Sequence, residues 1–257
     1  MGGAASGVEG LRRAVRDRAD RGADVVKIMT SGGAMTVGTD VLACQFSLEE
    51  LRVVVETAHD LGLAVTAHAH ALPAVEQCVA AEVDGIEHCS CLTPTGFSTP
   101  PELAAALAEA GTLVCPTLGR ALGSEPPPQV KALMERTGAT WESRLEQVVD
   151  LYRAGVILVS GADSGISPGK PHGVLPEAVI DLLDCGVPAD VALASATSLA
   201  ARACGLADRT GRLHAGLDAD LLIVDGDPMQ GITALRNVRA VVSRGRDVVT
   251  RSSVADR

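Results

Sequence analysis

Residues 63–70 read LAVTAHAH and residues 85–88 read GIEH. Each is a short, largely apolar run ending on histidine. That is the pattern of a strand packed under other elements, with polar chemistry at its carboxy-terminal end. Upstream, residues 24–29 (DVVKIM) read as a third buried strand, preceded by a helix over Val8–Arg21 and followed by Ser31-Gly32-Gly33. Between the strands, Ser47 with Glu50 forms a capping box that opens a helix running to Leu61, and Leu72–Ala81 is a second helix. Downstream come a helix over Glu102–Ala110 stopped by Gly111, a strand over Thr112–Pro116, one long helical stretch within Val130–Ala154, and a fifth strand, VILVSGA, over Val156–Ala162. Helices over Pro176–Cys185 and Pro188–Cys204 follow.

Strands alternating with helices predict a parallel α/β sheet covered by helices, here with five βα units. After Gly211 the texture changes. LHAGLDADLLIVDGD and NVRAVVSRGRDVV read as short antiparallel strands joined by Gly/Asp turns, which places a domain boundary near residue 206 and divides 1–205 from 206–257.

Composition narrows the function classes. The 257 residues are 47% hydrophobic, enough for one large domain or a domain with a small appendage. Thirty-two acidic against twenty-two basic residues leave a net charge of −10, which argues against a phosphate-backbone binder and so against nucleic acid. No apolar run reaches the roughly eighteen residues of a membrane span, and the start lacks the basic flank and apolar block of a secretory signal. Seven cysteines without framework spacing suit a reducing compartment, and the expectation is a cytoplasmic protein. Cys89-Ser90-Cys91 has no second cysteine or histidine pair at a spacing that would complete a thiolate site.

Lys27, His68, His88 and Asp163 each fall at or near the end of a predicted strand, where parallel α/β barrels assemble active sites. His68 and His88 are twenty positions apart, about one βα repeat, so neighbouring strands can present both imidazoles at one rim. Either histidine alone reads equally as a hydrogen-bonded core residue; four polar residues at four strand ends read as a site. Lys27 within DVVKIM is costly as a desolvated ammonium. It is either paired with an acid or neutral, and a neutral amine can take up carbon dioxide to form a carbamate able to bridge two cations about 3.5–4 Å apart. Ser167 and Lys170 match an S-x-x-K string, but Pro168-Gly169 inside it is a poor helix start, which counts against a serine nucleophile there.

Taken in order, VVKIMTSGG, VTAHAH, GIEHC, GADSG and LHAGLDADLLIVDGDP resemble the amidohydrolase superfamily, on its imidazolonepropionase-like and Xaa-Pro dipeptidase-like side. The resemblance runs over nearly the whole chain. It implies an incomplete TIM-type (β/α)8 barrel, strands 4 to 8, in residues 1–205, and a small β-sandwich segment in 206–257. It further implies that Lys27 is a carboxylated, metal-bridging lysine, that His68 and His88 are ligands of one or two zinc or similar divalent ions, and that Asp163 is a metal ligand and the proton-transferring acid. His70, two residues along the strand from His68, and His172 in PGKPHG would contact substrate. The activity implied is hydrolysis of a non-peptide amide or cyclic amide by metal-activated water, with an Xaa-Pro dipeptidase or an inactive, partner-binding remnant as alternatives. A small-molecule amide is the implied substrate.

The same resemblance leads to the expectation that barrel strands 1 to 3, with a His-x-His pair, are missing, and that a second chain or an upstream segment supplies them. The open sheet should then show unpaired edges and an apolar inner face.

Overall fold

The computed structural model describes residues 3–250, with side chains through residue 248; residues 251–257 of the expected carboxy-terminal segment fall outside it. Packing divides the chain into two compact units. One comprises residues up to Pro116 together with Pro126–Ile157; the other comprises Thr117–Glu125 and the chain from Leu158 onward.

The first unit holds the parallel strands. β1 (Val25–Met29), β2 (Ala64–Ala71) and β3 (Gly85–Thr93) lie side by side, with Met29 beside His68 and His68 beside Glu87. A two-residue β4 (Gly96–Phe97) folds back antiparallel on β3, whose other neighbour is the parallel β5 (Leu113–Cys115). The sheet order is β1-β2-β3-β5-β6, where β6 is Ile157–Leu158. The sheet does not close into a barrel.

Helices cover one face of this sheet. α1 (Val8–Ala19) buries Leu11 and Val15, four residues apart on one stripe. α2 (Leu48–Asp60) begins at the expected capping box: the Glu50 amide donates to Ser47 Oγ at 3.2 Å and the Ser47 amide to Glu50 Oε2 at 2.9 Å. α3 (Leu72–Ala80) and α4 (Pro101–Ala110) both carry proline in the first turn, where no amide is needed, and Gly111 ends α4 in the left-handed region. Val26, Ile28, Val65, Ala67, Ile86 and Val114 from the strands are buried, as are Leu51, Val54, Val75 and Leu107 from the helices. Each fully buried Val, Leu or Ile side chain contributes about 1.5–3 kcal/mol.

The long helix expected within 130–154 is two, α5 (Pro128–Thr137) and α6 (Trp141–Arg153). Gly138 takes φ 69° and ends the first, and Thr140 and Ser143 cap the second reciprocally. Serine replaces the usual Glu or Gln at the third position of that box, so its signal in the sequence is weaker.

DVVKIM is not buried throughout. Val26 and Ile28 are covered, whereas Val25, Lys27 and Met29 are exposed. The reason is topological: β1 ends the sheet, and its side away from the helices is open. Nor is that inner face simply apolar. It carries Lys27, Thr66 and Glu87, with Thr66 Oγ1 donating to Glu87 Oε1 at 3.1 Å.

In the second unit, α7 (Leu175–Asp184) is followed by α8 (Ala189–Ser195) and α9 (Ser198–Ala203), two short helices where one was expected. Thr197, at φ −127° and ψ −95°, interrupts them. The fifth strand is shorter than VILVSGA suggested because Ser160 leaves the ladder: its amide donates to the Ser195 carbonyl at 2.9 Å. A 3-10 helix, Ile232–Arg236, buries Ile232 and Leu235, and Arg236 grips Glu177 through two 2.7 Å hydrogen bonds. β7 (Leu221–Val224), β8 (Val238–Ser243) and β9 (Arg246–Thr250) form the expected antiparallel strands, with Arg244 and Gly245 both at positive φ in the hairpin turn. They make one sheet rather than two facing layers among the described residues, and Leu222 and Ile223 are exposed. No helix among the described residues is long and apolar enough to cross a membrane.

Candidate metal centre

The period of two in β2 turns Val65, Ala67, Ala69 and Ala71 toward the helices and Thr66, His68 and His70 to the opposite face. His68 is buried; His70 retains partial exposure. On β3 the same alternation would set Glu87 on the face of His68. His88 pairs in register with Ala69, so a regular strand would turn its ring among the helices. It does not go there. His88 takes φ 68° and Cys89 φ 47°, a left-handed turn that costs a non-glycine residue about 1–2 kcal/mol and swings the imidazole back across the strand. Its ring centroid then lies 4.5 Å from that of His68 and 4.3 Å from that of His70, stacked on the latter, while His68 and His70 are 4.7 Å apart edge to face.

Two sets of contacts hold this arrangement. After β1, the loop wraps over β2: the Thr30 amide and hydroxyl both donate to the His68 carbonyl, at 2.9 and 2.8 Å, and Ser31 Oγ accepts from the His70 amide at 2.9 Å. Gly32 is required here, since a Cβ on it would stand 2.3 Å from the Asp40 carbonyl oxygen, and its own carbonyl lies 3.3 Å from His68 Nε2. On the other side, α6 contributes the buried Arg144 and Gln147. Arg144 donates to the carbonyls of His88 at 2.6 Å and Pro116 at 2.9 Å; Gln147 Nε2 donates to the Cys89 carbonyl at 3.2 Å and to Thr99 Oγ1 at 2.8 Å; and the two side chains bond each other.

Burial and crowding hold His70 and His88 neutral. The pKa of His70 falls from its ordinary 6.5 to about 3, chiefly by desolvation, then through the neighbouring His68 and Arg144. His88 is likewise depressed, by desolvation first and then by His70, His68, Arg144 and Lys27. Around them the cysteines are reduced: burial pushes the Cys78 thiol up to about 12, and Cys89 is raised by its hydrogen bond with Cys91 and by burial.

Three imidazoles in contact form a donor set that could hold a divalent ion. One ligand nitrogen from each of His68, His70 and His88 lies within 4.8 Å of the others. Donors at that upper limit would surround an ion at about 2.8 Å, against the 2.0–2.1 Å of a zinc–nitrogen bond, so rotations of a few tenths of an ångström to about 1 Å close the site. Outer partners of the expected kind are present too: Gly32 O lies against His68 Nε2, and Ser90 Oγ is 3.0 Å from His70 Nδ1.

The other predicted residues are placed as follows. Lys27 sits mid-strand on β1, beside Thr66 and two residues short of the Met29–His68 pair. It is exposed, which corrects the expectation of a desolvated amine. Asp163 and His172 lie in the second unit, both exposed; Asp163 takes φ 51°, and the His172 ring packs against Gly165. His70, expected to orient substrate, belongs to the histidine cluster itself. Arg144 and Gln147 were not anticipated. Two polar residues three apart on the covered face of a helix were the available signal.

A parallel α/β sheet with histidines converging at its strand ends is the layout in which metal-assisted hydrolases build their centres. The chain belongs to the amidohydrolase family, whose model matches residues 3–248. It is 31% identical over 241 residues to ochratoxinase of Aspergillus niger, covering 92% of this chain and 48% of that protein. Among solved structures it is similar to a Xaa-Pro dipeptidase with bound methionine in the active site (TM-score 0.80, 28% identity, 94% of this chain and 58% of that one). A prolidase complexed with N-methylphosphonate-L-proline gives TM-score 0.81 at 28% identity, over 96% of this chain and 60% of that one. The chain thus spans about half the length of the curated relative.

Proposed function

We propose that this chain carries the ligand half of a hydrolase acting on carbon–nitrogen bonds of a small amide or cyclic amide, with a divalent ion held by His68, His70 and His88. Family membership supports the hydrolase class. The observation that carries the metal reading is the convergence of three pKa-depressed or buried imidazoles on one point. A divalent ion bound there would acidify a water molecule and polarise the scissile carbonyl. The protein's own part is to hold His70 and His88 neutral and all three rings fixed, through Gly32, Ser90 and the crowding of the rings. On the resemblance alone, Asp163 would be the group that takes the proton of the attacking water on its carboxylate and returns it to the leaving nitrogen. Zinc suits three imidazoles, although the same set accepts other divalent ions.

Lys27 would join as a carboxylated lysine for a second ion. Its exposure means that the desolvation favouring a neutral amine must come from whatever covers the open side of β1. The sheet then corresponds to strands 4 to 8 of a (β/α)8 barrel, and strands 1 to 3, from the same or a second chain, are that cover. A dipeptidase acting on a proline-containing substrate is the second reading, favoured by the two solved relatives named above.

The test is metal content by mass spectrometry of size-selected protein, for the parent and for His68→Ala, His70→Ala and His88→Ala. About one ion per chain in the parent, lost in each variant, is the expected result. A folded parent that binds no zinc, manganese or cobalt overturns the metal reading. Hydrolysis of N-acyl amino acids against Xaa-Pro dipeptides by metal-loaded protein, with a barrel-completing segment supplied, separates the two substrate classes.

A further inference from the structure

The left-handed turn at His88 and Cys89 needs a cause. The sequence GIEHCSC does not by itself demand it: histidine enters this region more readily than most residues, but Cys89 beside it has no such preference, and a regular strand would carry the His88 ring away from His68 and His70. What the turn exposes on its covered side is a pair of carbonyls, those of His88 and Cys89, pointing away from the ladder. Both are met by side chains of α6, Arg144 to the first and Gln147 to the second. The two donors are three residues apart on one face of the helix, buried, and tied to each other. Arg144 also reaches the Pro116 carbonyl just beyond β5, and Gln147 reaches Thr99 after β4, so the pair ties the middle of β3 to the chain just past β4 and β5.

We propose that Arg144 and Gln147 are positioning residues, which fasten the carbonyls of His88 and Cys89 and thereby hold the His88 imidazole against His68 and His70. A buried guanidinium is expensive, and one placed beside a prospective cation site works against charge there. Its retention at this position is explained by the geometry it imposes: Nη2 takes the carbonyls of His88 and Pro116 while Nη1 holds the Gln147 side chain, a fixed spacing of donors that the single nitrogen of a lysine does not reproduce. This inference rests on the metal reading but is separable from it, because ring placement and ion binding are read by different measurements.

The experiment is NMR of the metal-free full chain with histidines labelled at Cε1. The stacked His70 and His88 rings should give ring-current-shifted resonances among the six histidines, assigned with His70→Gln and His88→Gln. Arg144→Lys, which keeps the charge and loses the fork, and Gln147→Met are expected to collapse those shifts toward exposed-histidine values. Cys89→Gly, which removes the Cβ cost of the left-handed turn, is expected to restore them in the Gln147→Met background, a rescue that lost packing would not show. Cobalt affinity measured on the same proteins should fall about tenfold or more in the single variants.

Unchanged ring-current shifts in either folded variant overturn the proposal. If one variant does not fold, the other decides. A parent that shows the shifts but binds no cobalt would refute the metal reading and leave the positioning role standing.

Discussion

Acidification should loosen the first unit through His70, and the size of the effect follows from its surroundings. In the unfolded chain the imidazole titrates near 6.5; in the folded chain burial, His68 and Arg144 hold it down to about 3. Between those values the unfolded state binds a proton that the native state does not, so stability present above pH 6.5 is lost as pH falls toward 3. From pH 7.5 to 5.5 this costs about 1.3 kcal/mol for His70. His88, depressed for the same reasons, adds to the loss in the same direction.

Urea unfolding of metal-free protein, followed by the fluorescence of the single tryptophan, Trp141 at the start of α6, measures the quantity in the unit concerned. His70→Gln keeps a polar group without a titration, so its stability should fall by about 1.3 kcal/mol less than the parent's over that pH interval. A variant that loses as much stability on acidification as the parent would refute the claim that His70 is held neutral by the fold.

Gly32→Ala should destabilise the first unit by about 1–3 kcal/mol, because its Cβ would overlap the Asp40 carbonyl at 2.3 Å; a urea midpoint equal to the parent's would contradict this. Leu107→Ala, fully buried on α4, should cost about 2–5 kcal/mol in the same assay, and a loss under 1 kcal/mol would mean that the helix layer is looser than described. In the second unit, Lys170 Nζ donates to the carbonyls of Thr117 at 2.6 Å and Ala162 at 2.9 Å. Lys170→Met should therefore raise amide hydrogen exchange in the Thr117–Glu125 segment and near Asp163, with about 1.5–3 kcal/mol of local stability lost; unchanged exchange would show that these turns hold without the lysine.

The histidines show where reading the chain succeeds and where it stops. HAH in an alternating strand places His68 and His70 on one face by geometry alone, and the twenty-residue spacing to His88 places the third imidazole on the neighbouring strand. Strict alternation then assigns His88 to the wrong face. The turn that corrects it depends on α6, more than fifty residues downstream. At Lys27 the expected burial differs for another reason: its apolar neighbours suggested a covered strand, yet burial of a strand's inner face is supplied by other strands, and among the described residues none faces β1.

By itself the sequence determined the alternation of strands and helices, the capping box at Ser47, the antiparallel character of the segment after Gly211, and the neighbouring strands that carry His68 and His88. These follow from local periodicity and turn chemistry, which act over a few residues. The tertiary structure alone decided the membership of the histidine cluster, the left-handed turn that completes it, the exposure of Lys27, and the single-layered sheet near the carboxy terminus. Each depends on hydrogen bonds or coverage contributed by distant parts of the chain, and neither is written in the residues that receive them.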